Sequence, residues 1–131
     1  MFLDANIFIN AALSGGKDGM RCRSLMDKIA KGEQHASTSL LALDEVIFTL
    51  IELRGREFVA KRYEMAITMP NLELLPVDKR AAHFLMEFFS QGLEPRDALH
   101  AATMKANRVE TICSFDHAFD KVKGIKRQEP V

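Results

Sequence analysis

The chain has no excess of either charge: 18 Lys plus Arg balance 18 Asp plus Glu over 131 residues. A protein that holds nucleic acid through its overall field carries a basic surplus. Any such partner here must be met by a local patch, or through cations that offset clustered acids. No apolar run approaches the length of a membrane span, and the N-terminus lacks the basic, apolar, small-residue succession of a secretory signal. Two cysteines, Cys22 and Cys113, make no disulfide framework. Cys113 falls in an apolar stretch, where a free thiol behaves as a small hydrophobe. These features point to a cytoplasmic location. No Gly-rich phosphate loop, internal repeat, low-complexity tract or linker breaks the chain. With 47% hydrophobic and 27% charged residues, one domain spanning residues 1–131 is expected.

What the chain does have is alternation. The short apolar run ending at Leu3 reads as a buried strand that hands over directly to a helix containing Ile7, Phe8 and Ile9, with Asp4 at the junction. Helical spacing recurs from about Asp18 to Lys31, from Leu40 to Leu53, from Arg56 to Met69, from Asp78 to Gln91 and from Pro95 to about Asn107. Gly32, Gly55, Pro70 and Gly92 stand at the stops, and Pro95 sits where a first-turn proline is tolerated. Between the helices, His35–Ser39, Leu72–Val77 and Thr111–Ser114 read as strands. Asp116 opens a short helix through Val122, and Gly124–Lys126 is expected as a last edge strand. Strands alternating with helices imply a parallel sheet covered on both faces, an α/β sandwich.

Four acids fall in one kind of place. Asp4 ends the first strand, Glu45 lies in the first turns of the Leu40 helix, Asp97 lies in the first turn of the Pro95 helix, and Asp116 follows the fourth strand. In a parallel sheet these positions share the edge where ligands bind. Clustered carboxylates need a compensating charge, and all-oxygen sites suit hard cations such as Mg²⁺ or Mn²⁺. Such a site can activate water and polarise a phosphodiester. Each acid alone reads more readily as a helix cap, stabilised by the helix dipole, than as a catalytic group. Glu45 is the most ambiguous: a helical wheel puts it on the polar side with Thr49 and Glu52, whereas Asp44 lies nearer the apolar arc.

The segments Phe2-Leu3-Asp4-Ala5-Asn6, Leu43-Asp44-Glu45-Val46, Pro95-Arg96-Asp97-Ala98-Leu99-His100-Ala101-Ala102 and Ser114-Phe115-Asp116, with Phe119-Asp120, resemble the PIN-domain family. The resemblance is to the small single-domain kind that includes VapC-type toxins. They occur in that family's order and approximate separations, and the Asp97 block is the most specific of them. The resemblance implies a three-layer sandwich around a five-stranded parallel sheet, with the opening strand central. It also implies an endoribonuclease dependent on Mg²⁺ or Mn²⁺ that leaves a 5′-phosphate and a 3′-hydroxyl. Asp4, Asp97 and Asp116 match the family's metal-binding acids, and Glu45 matches an acid that binds metal directly or through water. Ser114 and Asn6 match polar residues beside these acids, and Asp120 is a possible auxiliary acid. Dimers and a partner antitoxin are also family properties, so a homodimer, an antitoxin partner and an RNA substrate are expected. The alternatives are a non-catalytic PIN module that binds RNA or protein, and a housekeeping nuclease without an antitoxin.

Other residues read more plainly. His35, His83, His100 and His117 make no ligand pair at metal-helix spacing. His100 and His117 adjoin two of the acids, but each is expected to be structural or solvated. Arg54, Arg56, Lys61 and Arg62, with Tyr63, form the densest basic cluster. They could track an RNA backbone, but a solvated helix face explains them more simply. The same applies to Lys121, Lys123, Lys126 and Arg127. The seven Met and nine Phe are expected mostly in the core, with Phe48, Phe58 and Phe88-Phe89 available for a partner surface.

Overall fold

Side chains alternate across a strand, so the two residues of the central strand divide the interior between them. The computed structural model describes residues 1–131. β1 (Phe2–Leu3) leads into α1 (Ala5–Leu13) and α2 (Lys17–Ala30). β2 (Ala36–Ser39), α3 (Leu40–Thr68), β3 (Leu72–Leu75), α4 (Lys79–Phe89), α5 (Pro95–Ala106), β4 (Thr111–Cys113) and β5 (Lys126–Gln128) follow. The sheet order is β3-β2-β1-β4-β5, and every pairing is parallel. Phe2 points into a core shared with Phe88, Leu93, Ala101, Met104 and Phe119. Leu3 points the other way, to Ile7, Cys22, Leu25 and Ile29. Helices thus cover both faces, as the alternation of elements predicts.

β2 has little β-branched character, yet all four of its residues are buried. Its polar side chains are tolerated there because they find partners. The Thr38 hydroxyl donates to the Leu3 carbonyl at 2.9 Å, and the Ser39 hydroxyl caps α3 by accepting from the Ala42 N–H at 3.2 Å. α3 bridges two apolar clusters: Ala42 joins the Phe2 core, while Val46 and Leu50 lie against Ala5 and Phe8 of α1.

Two strand boundaries and one helical face differ from expectation. The last strand runs Lys126–Gln128 rather than Gly124–Lys126, because Gly124 (φ 84°) makes the turn and pairing begins where Thr111 meets Lys126. β3 stops at Leu75, since Pro76 has no N–H for the ladder and the Asp78 carboxylate caps α4 through the Arg80 N–H at 3.0 Å. The apolar arc of α3 is narrower than its sequence suggests, with Leu40 and Leu53 largely exposed, whereas Phe48 is exposed as its surface reading expects. No helix of the protein is long and apolar enough to cross a membrane.

α3 is broken at Gly55, as its sequence predicts. The residue sits at φ 79°, ψ 173°, a region essentially closed to residues with a Cβ. Open space surrounds the position, so the penalty of a side chain there is conformational rather than steric. Gly55→Ala should therefore destabilise the protein by about 1–3 kcal/mol in urea unfolding. Gly15→Ala, at a glycine with negative φ and the same open surroundings, should stay within about 0.5 kcal/mol of the parent.

Candidate active site

The carboxyl ends of β1, β2 and β4 lie side by side, and the chain leaves β1 toward β2 on one side while β4 flanks it on the other. This is the switch point at which ligands bind in open α/β sheets. Asp4 occupies it. Its side chain is buried, and its Oδ1 accepts from the Ala5 N–H at 2.8 Å, so it caps α1. Its Oδ2 accepts from the Ser114 hydroxyl at 2.6 Å and from the Asn6 amide at 3.1 Å. The Ser114 oxygen in turn accepts from Asn6 at 3.0 Å and from the Asp116 backbone N–H at 3.0 Å. The Asn6 side-chain Oδ1 also accepts from the Phe115 N–H at 3.4 Å. Asn6 and Ser114 thus stitch the end of β1 to the exit of β4, and Asp4 is both cap and site acid.

Glu45, on the second turn of α3, faces this edge and is partly buried. Asp44, nearer the apolar arc on the wheel, points to solvent instead. Packing of α3 against α1 turns Val46 and Leu50 inward, and that rotation brings Glu45 round to the strand ends. Its Oε1 lies 2.9 Å from His100 Nε2 and 3.4 Å from Arg96 Nε. His100 is wholly buried, and it is the site residue that the sequence undervalued. The available signal was its position three residues beyond Asp97 on α5, which puts both on one helical face.

Asp97 lies in the first turn of α5 behind Pro95, and Asp116 caps the short 3₁₀ turn His117–Lys121 by accepting from the Ala118 N–H at 2.9 Å. Burial, and then the negative charges of Asp4 and Asp116, push the Asp97 carboxyl up to about 6. Burial also raises Asp4, against the lowering effect of the Ser114 hydrogen bond. Asp120 differs from both. Hydrogen bonds from Arg127 (2.7 Å) and His117 (2.8 Å) hold it below the ordinary carboxylate range, so it already has its counter-charge. Arg127 also donates to the Ser114 carbonyl at 2.8 Å, clamping the loop that carries Asp116.

Ligand atoms of Asp4, Glu45 and His100 lie within 4.8 Å of one another, and Asp97 and Asp116 stand outside that tight group. Two carboxylates and an imidazole at closing distance, beside an Asp97 carboxyl raised by burial and then by neighbouring negative charge, could hold a divalent cation. A second feature is an apolar groove of about 270 Å³ beside α1 and α3. Phe8, Leu43, Val46, Val59 and Tyr63 are among its lining residues, and Arg23 and Arg62 supply its charge.

Sheet order and acid placement together define an α/β protein with a cluster of carboxylates at its switch point. The chain belongs to the PIN domain family, which it matches over residues 1–125. It is 26% identical to a VapC ribonuclease of Mycobacterium bovis and to ribonuclease VapC13 of Mycobacterium tuberculosis, covering 97% of this chain and 98% of each relative. Among solved structures it resembles VapBC2 from Rickettsia felis bound to a promoter DNA fragment (TM-score 0.77, 14% identity, 98% of this chain and 96% of that one). It also resembles FitAcB from Neisseria gonorrhoeae (TM-score 0.74, 18% identity, 98% and 96%). A third likeness is to VapC20 of Mycobacterium tuberculosis, a toxin that cleaves the sarcin-ricin loop (TM-score 0.65, 16% identity, 91% and 92%). At these identities the structural likenesses establish the fold.

The Asp97 shift has a measurable consequence in cation-free protein. Its folded pKa of about 6 exceeds the unfolded 3.8, so the folded state binds more protons between those values. Stability then falls as pH rises through that window. Thermal unfolding in EDTA should give a lower Tm at pH 7 than at pH 5. Asp97→Asn should flatten that slope and gain on the order of 1 kcal/mol at pH 7, a figure discounted for partial exposure of the carboxylate.

Proposed function

We propose that this protein is a cation-dependent endoribonuclease and the toxin of a toxin–antitoxin pair. One observation carries the reading: the buried Asp4 is tied through Ser114 to the Asp116 backbone, with Glu45 at the same edge and Asp97 close enough to feel their charge. Ribonuclease activity in the mycobacterial relatives supports RNA as the substrate.

Asp4, Glu45, Asp97 and Asp116 are the residues that would hold Mg²⁺ or Mn²⁺. When bound, the cation supplies water activation and charge neutralisation at the scissile phosphodiester. The remaining work belongs to the chain. Ser114 and Asn6 fix the orientation of the Asp4 carboxylate, and the β1 and β4 ends hold Asp4 and Asp116 at a set separation. Arg96 is exposed beside Glu45, placed to meet a phosphate that approaches the edge. Asp120, neutralised by Arg127, is the weakest candidate for an added acid.

The partner in this reading is an antitoxin. A toxin-antitoxin complex from Klebsiella pneumoniae shares the fold (TM-score 0.62, 19% identity, 99% of this chain and 97% of that one), which supports a partner of that kind. The groove with Arg23 and Arg62 suits an amphipathic antitoxin segment with apolar anchors and acidic residues. Exposed Phe48, Met86 and Phe89 provide apolar surface for a second copy of the chain. A non-catalytic RNA- or protein-binding module is the alternative, and retention of all four acids argues against it.

Cleavage of single-stranded and structured RNA should require Mg²⁺ or Mn²⁺ and stop in EDTA. Loss of an acid removes several kcal/mol of transition-state stabilisation. At about 1.36 kcal/mol per tenfold, Asp4→Asn and Asp97→Asn should each lower the rate about 100-fold or more. Cleavage persisting in EDTA, or at parental rate in both variants, would sink the assignment.

A further inference from the structure

His100 is attached to the site by geometry that neither a core histidine nor a solvated one needs. Its side chain has no solvent exposure, its ring leans on Phe2 (centroids 5.6 Å apart, planes at 46°), and its Nε2 meets Glu45 Oε1 at 2.9 Å. The other ring nitrogen, Nδ1, is buried and has no hydrogen-bond partner. A carboxylate can only accept, so the shared contact places a proton on Nε2. His100 is therefore the donor and Glu45 the acceptor in this pair.

We propose that His100 is a positioning residue for Glu45, aiming its carboxylate at the cation. This rests on the reading of Glu45 as one of the residues that hold it. The alternative holder of Oε1, Arg96, is more than half exposed and its Nε lies 3.4 Å away, so it cannot fix a rotamer as firmly. Glu has three side-chain torsions to immobilise, and a rigid buried donor from α5 ties the α3 acid to the helix carrying Asp97. His100 meets Glu45 through Nε2, and the proposal gives it the role of holding that carboxylate rather than a place among the ligands. Groups that orient a ligating carboxylate in this way are worth 10–100-fold in metal affinity, to order of magnitude.

The test measures Mn²⁺ affinity by EPR titration of free ion, alongside circular dichroism and thermal unfolding in EDTA. Gln carries an amide N–H at about the reach of Nε2, whereas Asn is too short and Leu has no donor. His100→Leu and His100→Asn should weaken Mn²⁺ binding about 10-fold or more, and His100→Gln should recover most of it. The Glu45→Gln variant should also bind Mn²⁺ weakly, and adding His100→Asn to it should cause little further loss. Pulsed EPR of the Mn²⁺-loaded parent should show no directly bound nitrogen. A directly coordinated nitrogen that disappears in His100→Gln would overturn the proposal, making the histidine a ligand. Parental affinity in folded His100→Asn would overturn it too, as would equal losses in Asn and Gln variants that follow Tm alone. If Glu45→Gln binds Mn²⁺ as the parent does, the reading of Glu45 itself fails. Weakened Glu45→Gln with unaffected His100 variants removes only the positioning role.

Discussion

A carboxylate buried at the end of the central strand is the constraint on which the site depends. Asp4 gives up most of its hydration, and burial alone would cost several kcal/mol if nothing replaced the water. Three donors replace it: the Ala5 N–H, the Ser114 hydroxyl and the Asn6 amide. They come from the two strand ends that meet at the edge, so satisfying one charge also sets the register between β1 and the exit of β4. The Asp116 N–H bonded to Ser114 extends the same chain of contacts to the next acid. A strand of two residues can hold Asp4 firmly because these hydrogen bonds, rather than strand length, fix it.

The compensation is incomplete, and that is informative. Hydrogen bonds lower Asp4, yet burial still raises it overall, and Asp97 is raised with it by burial and by the charges of Asp4 and Asp116. Asp120 shows the opposite arrangement a few residues away, where Arg127 fully meets the charge and the carboxyl is lowered. One edge of the protein therefore holds acids in a state that protein groups leave unrelieved. Stability given up in this way is characteristic of sites arranged for a ligand rather than for folding.

Much of this was legible in the sequence, for identifiable reasons. Turn chemistry and helical period located nearly every element, because Gly55, Pro95 and Asp78 act on the backbone locally. The last strand was misplaced by two residues because a short edge strand is defined by its partner, β4, and not by its own composition. The choice between Asp44 and Glu45 was out of reach for a similar reason. A wheel averages the whole apolar arc of α3, whereas Leu40 and Leu53 turned out to be exposed, which rotates the buried face away from Asp44. His100 looked bland because a lone histidine acquires meaning only from a partner 55 positions earlier in the chain.

α3 also joins the two features of the surface. Glu45 stands between residues that face the groove, with Leu43 and Val46 lining it and the acid itself turned to the strand ends. Neighbouring residues on a helix advance only about 1.5 Å along its axis, so an occupant of the groove would rest within one turn of a site acid. Side chains packed to native density move together or not at all. An occupant of the groove would therefore pack against the turns of α3 that flank Glu45. Beyond the break at Gly55, the second half of α3 contributes Val59, Arg62 and Tyr63 to the lining of the same groove.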